Sequence, residues 1–180
     1  MKFSPIAYRG ILPKISEKAL IAPNAVITGD TEIADDVNIW YGCVIRGDVA
    51  PIKIGAGTNV QDNAVLHVSR ANHKANKTTD IAPCLIGKNV TIGHMAMLHA
   101  CIVEDEAFIG MSSLIMDLAY IENNAMVAGG AVVTPKKRIK YGEIWAGNPA
   151  KCLRKMSEEE MRYIKISAEN YIELAKEYFI

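Results

Sequence analysis

The sequence predicts an all-β solenoid, a parallel β-helix of hexapeptide repeats, closed by a single C-terminal helix. Three observations carry this. Aliphatic residues recur every six positions, glycine, asparagine and aspartate fall between them where corners are needed, and only the tail abandons period six for helical spacing.

Taken in order, residues 1–20 ("MKFSPIAYRGILPKISEKAL") form an N-terminal segment outside the repeat. They lack the apolar run and small-residue cleavage site of a secretory signal. From Ile21 the chain divides into IAPNAV, ITGDTE, IADDVN, IWYGCV and IRGDVA, and after a slip near Pro51 it resumes as IGAGTN, VQDNAV and LHVSRA. A polar loop, assigned to 69–85, interrupts. The sixes return as IGKNVT, IGHMAM and LHACI, the last one residue short, and run on from Val103 through VEDEAF, IGMSSL, IMDLAY and IENNAM to VAGGAV. Three blocks close one coil of about eighteen residues, with the leading aliphatics stacked inward. A β-sandwich would instead show period-two alternation and hairpin turns, which are missing.

The repeat domain is therefore placed at 21–135 and a connecting segment at 136–156. The helix occupies 157–180. Ser157 and Glu160 make a capping box at its start. Apolar Met161, Ile164, Ala168, Tyr171, Ile172, Ala175 and Phe179 follow at helical spacing, so this face packs along the β-helix.

Composition narrows the function. Twenty basic and twenty acidic residues cancel among 180, and no block of like charge stands out, which argues against nucleic acid or a membrane surface as partner. No apolar run is long enough to span a bilayer. Four scattered cysteines (Cys43, Cys84, Cys101 and Cys152) without a CxxC pair read as reduced thiols, placing the protein in the cytoplasm.

The coil register gives the histidines a geometry. If the 69–85 loop bulges from a corner, block 66 lies directly beneath block 98, and His67 and His99 stack on one face. Neighbours in such a stack are about 4.8 Å apart, and two imidazoles can share a zinc at about 2.0–2.1 Å each. His94 falls on another face, and completes a three-histidine site only from a second chain, if prisms associate around a threefold axis. The competing reading makes each histidine a hydrogen-bonded surface residue without metal. His73, in the loop, fits no stack and is expected in solvent.

With "VIRGDV", "GTNVQDNAVLH" and "IGHMAMLHAC", the sequence resembles the γ-class carbonic anhydrases, from about Tyr8 to the terminal helix. The resemblance implies left-handed coils, a homotrimer, and a zinc ion at each interface, with ferrous iron or cobalt as alternatives. Its ligands would be His67, His94 and His99, and its reaction the reversible hydration of carbon dioxide to bicarbonate by zinc-bound hydroxide. Arg46 and Asp48 match the family's interfacial pair near the bicarbonate site, while Gln61 and Asp62 match its QD beside the metal. Tyr171 resembles a tyrosine pointing from the terminal helix toward the site. Two departures bear on rate. Val49 stands where a glutamate would follow the RGD, and the loop "VSRANHKANKTTD" is basic where studied members carry an acidic proton-shuttle loop. Two rivals keep the fold: an acyltransferase using a lone histidine as general base, and a metal-binding trimer without turnover.

Overall fold

A computed structural model describes residues 3–70 and 82–179. Short parallel strands stack in three columns to form a left-handed parallel β-helix of about seven turns. The first face carries Val26, Val44, Val65, Met97, Leu114 and Val132 in register. A second follows through Lys14, Glu32, Lys53, Leu85, Ile102, Tyr120 and Arg138. The third runs through Leu20, Asn38, Asn59, Thr91, Phe108, Met126 and Ile144.

The leading aliphatics point inward as the period requires. Ile45, Leu66, Leu98 and Ile115 on the first face, and Ile39, Val60, Ile92 and Ile109 on the third, are all 0% exposed. Small residues such as Ala64, Ala96 and Ala131 fill the space behind the corners, where larger side chains would collide. The corners turn through left-handed backbone, taken by Asp36, Asn63, Asn89 and Asn124 at φ between 51° and 59°. Asparagine and aspartate tolerate that region better than other side chains.

Paired strands run beyond 21–135 at both ends. Lys14–Ile15 pairs with Val26–Ile33, and Arg138–Ile139 and Glu143–Ala146 add further rungs. Ile139 and Trp145 take the inward position on these rungs, Ile139 buried and Trp145 packed against the core beside Val127, so the stack continues through much of the segment placed at 136–156. Lys151–Lys155 then turns back antiparallel as an exposed edge.

The terminal helix spans Glu158–Phe179. Its capping box is reciprocal: Glu160 N–H donates to Ser157 Oγ at 3.2 Å, and Ser157 N–H to Glu160 Oε2 at 2.8 Å. Ile164, Ala168 and Ala175 are buried against the third face. Tyr171, Tyr178 and Phe179 surround the Trp40 ring, with centroids 5.4–5.7 Å away. No described helix is long and apolar enough to cross a membrane.

The repeat is broken at one place only among the described coils. Partners are eighteen residues apart at Val26↔Val44 but twenty-one apart at Thr31↔Ile52, so three extra residues enter at the corner between the first and second faces. One coil later the chain leaves that corner for the segment between Ser69 and Ala82, whose backbones pair to close it. In the next coil the spacing is seventeen at Leu98↔Ile115 but eighteen at Ile102↔Tyr120, so this coil is one residue short at the same corner. Three successive irregularities share an edge with His67 and His99.

Candidate metal centre

His67 and His99 are direct register partners on adjacent rungs, with Arg46 one rung below His67. Their ring centroids are 5.1 Å apart. Each imidazole has a carboxylate. His67 Nε2 lies 3.0 Å from Asp48 Oδ1, and His99 Nδ1 lies 2.7 Å from Asp117 Oδ1.

Asp48 enters through the three-residue insertion and also binds the Arg46 guanidinium. Burial acts to raise the Asp48 carboxyl, but the hydrogen bonds from His67 and Arg46 outweigh it and hold the group below its ordinary value. The intervening Gly47 is required by a close approach. A Cβ there would lie 2.4 Å from the Asp30 carbonyl of the coil below, so only glycine lets Arg46 and Asp48 flank this corner.

His94 belongs to the other edge of the first face, just after Thr91–Ile92 of the third. Its Nδ1 is 2.9 Å from Asp62 Oδ2 on the rung below. Desolvation raises the Tyr171 phenol, and the Asp62 carboxylate adds to that shift, so the tyrosine is held neutral against Trp40 and in the field of Asp62. Gln61 is 5% exposed and donates from Nε2 to Asn59 Oδ1 at 3.1 Å. Asn59 in turn donates to Thr91 Oγ1 at 2.9 Å, and Thr91 meets Ser167 of the terminal helix.

The candidate residues therefore form two groups on opposite edges of one face. Arg46, Asp48, His67 and His99 stand at one edge, and Asp62 and His94 at the other, with Tyr171 and Gln61 nearby under the helix. Among the described residues no three His, Cys, Asp or Glu side chains of one chain converge on a point. His73 lies outside the described residues.

The donor set suits a divalent transition ion. Imidazoles whose second nitrogen faces a carboxylate are oriented and made more basic, the arrangement found around metal-bound histidine. His94 and His99 both have Nδ1 facing an acid, which leaves Nε2 available to ligate.

The bacterial transferase hexapeptide (six repeats) family matches residues 13–47. A carbonic anhydrase from Geobacillus kaustophilus is 39% identical over 171 residues, covering 95% of this chain and 88% of that protein. The chain belongs to the γ-class carbonic anhydrase family. The mitochondrial γ carbonic anhydrase 2 of Arabidopsis thaliana is 48% identical over 164 residues, 91% of this chain, although the chain spans only 58% of that plant protein's length. In structure, a hexapeptide transferase family protein from Anaplasma phagocytophilum superposes with a TM-score of 0.88 at 47% identity, covering 96% of both chains.

One acid beside this family's histidines is not evident from the motifs. Asp117 is third in the block IMDLAY, one coil above His99. The signal was the short block LHACI beneath it, whose missing residue leaves the corner position that Asp117 fills. Met95, Ala100 and Leu118, the residues after His94, His99 and Asp117, all hold left-handed backbone at φ 58°, 48° and 60°. All three side chains are thus presented at the lip of a corner.

Proposed function

We propose that the chain is a zinc-dependent, carbonic anhydrase-like lyase, interconverting carbon dioxide and bicarbonate at centres shared between the subunits of a homotrimer. The observation that carries it is the division of carboxylate-backed histidines between two edges of one face. His67 and His99 hold one side of a centre, and His94 of a neighbouring copy supplies the third imidazole. Because the two edges differ, such contacts are head-to-tail and close into a ring. The surface between them supports this. Val26 is 38% and Met97 43% exposed in an apolar column six rungs long, and Met95 and Met111 at its margin are 59% and 58% exposed. A second copy would cover that stripe.

Zinc held by three neutral imidazoles lowers the pKa of water to about 7, so a hydroxide nucleophile is available at neutral pH. The chain's own residues bind and orient. Asp48, Asp62 and Asp117 hold the imidazole rings. Arg46, anchored by Asp48 beside His67, offers a cation for the bicarbonate anion. Gln61, tied to Asn59, contributes a fixed amide near the QD corner. Val49 cannot carry a proton where a glutamate would, so hydration is limited by proton transfer to buffer. Four unbridged cysteines, Cys43, Cys84 and Cys101 buried and Cys152 exposed, are in keeping with a reducing compartment such as the cytoplasm. An acyl-transfer reading needs one basic histidine and leaves the other two, with their acids, unexplained.

The test is metal analysis of anaerobically purified protein with sedimentation and stopped-flow carbon dioxide hydration. Trimers with about one zinc per chain and buffer-dependent hydration are expected. A monomer that binds one zinc tightly would refute the shared centre. Zinc-loaded trimers without hydration in any buffer would leave a binding trimer and refute the lyase.

A further inference from the structure

We propose that Asp117 is a positioning residue that sets the tautomer and ring orientation of His99, so that Nε2 is the atom presented to a metal. The inference rests on the shared-centre reading and deepens it, because none of the three family motifs quoted above contains Asp117.

Three observations support it. The first is the contact. His99 Nδ1 and Asp117 Oδ1 are 2.7 Å apart, at the short end of charge-assisted hydrogen bonds. A carboxylate has only acceptors, so Nδ1 must carry the proton, and Nε2 is left with its lone pair.

The second is how the chain puts the acid there. Leu98 pairs with Ile115, seventeen residues on, whereas Leu118 N–H bonds to Ala100 O, eighteen on. Between these points the upper coil has one residue more than the lower. With both corner residues aligned, that unmatched residue is Asp117. Its carboxylate reaches down beside a coil that lacks a residue of its own at that step. A regular repeat would place two side chains in register there and bring no acid diagonally across to the ring.

The third is the contrast with His67. That ring is held through Nε2 by Asp48, which has the Arg46 guanidinium as a second partner. Asp48 therefore keeps an ion pair if a metal claims Nε2 of His67. Among the described residues His99 is the side-chain partner of Asp117, and that bond is compatible with a metal on Nε2. Of the two stacked rings, His99 is the pre-set ligand.

The experiment pairs nitrogen NMR of histidine-labelled, metal-free protein with zinc competition titration on wild type, Asp117→Ala and Asp117→Asn. The spectra are recorded at about pH 8, above the usual imidazole pKa of about 6.5. In wild type His99 should be the Nδ1–H tautomer. Asp117→Ala should shift it toward Nε2–H and weaken zinc binding about 10–100-fold. Asp117→Asn keeps an acceptor oxygen, so it should keep the tautomer and lose less affinity. It also guards against misfolding of the alanine variant.

An Nε2–H tautomer in wild type, or an unchanged tautomer in Asp117→Ala, would overturn the proposal. So would wild-type zinc affinity in Asp117→Ala. If wild type binds no zinc, the shared-centre reading fails instead, and the tautomer measurement still decides the role of Asp117.

Discussion

Mixing two inactive variants tests whether a centre is built from two chains. His94→Ala retains the His67/His99 pair on its own edge, and His67→Ala retains His94 on the opposite edge. Alone, each assembles rings in which every centre lacks a ligand. In a cyclic trimer containing both chains, one neighbouring pair always places an intact His67/His99 edge against an intact His94. Random assembly from equal amounts makes about three quarters of rings mixed, each with one restored centre of three, so about one quarter of wild-type zinc should return. The control is His67→Ala with His99→Ala. Both lesions fall on the same edge, no chain keeps the pair, and no centre is rebuilt. Co-expression with two affinity tags isolates mixed rings, in which zinc measured per chain should rise to about one third of wild type. Equal recovery in both mixtures, or none in the first while wild type loads fully, would refute a centre divided between edges.

Leu98→Ala should cost about 2–5 kcal/mol, as for other buried leucine truncations, because Leu98 is fully enclosed between Leu66 and Ile115. Urea unfolding at fixed protein concentration measures it, and a change within error would place Leu98 outside the core. The Arg154 guanidinium, with the Ser157 N–H, holds the Glu160 carboxyl at about 2, against 4.5 for the free group. Its folded-state value is depressed, so its contribution is complete above 4.5 and is lost as pH falls from there toward 2. Glu160→Gln should therefore flatten the acid loss of helical signal in that window, and an unchanged acid limb would argue against the capping box. Replacing residues 71–81, His73 included, with a short Gly/Ser turn should preserve both fold and zinc content, since Ser69 and Ala82 already pair across the gap. Unfolding would mean the coil register depends on the segment, and zinc loss would make His73 a ligand.

The fold was legible because a solenoid writes its contacts into local spacing. When each residue's neighbours lie one coil away, a period of six states which side chains face inward, and Ile39, Val60 and Ile92 obey it. The same arithmetic placed His67 under His99 across a loop of unknown shape, because strand pairing on either side leaves only one register that keeps every aliphatic inside. The ends were less legible. Beyond Val133 charged and turn residues dilute the pattern, and Ile139 and Trp145 hold rungs that only their pairing partners reveal.

By itself the sequence determined the coil, the helix cap, the stacking of two histidines and the separation of the third. What it could not determine is where deviations from the repeat meet. The slip at Pro51, the polar insertion and the five-residue block LHACI look like three unrelated lapses along the chain. In three dimensions they fall at one corner, bringing Asp48 to His67 and Asp117 to His99. The reason is physical. Periodic positions are constrained by inward packing and can be read one by one, whereas a side chain at a broken corner is placed by the difference in length between two adjacent coils. That difference exists only once both coils are stacked.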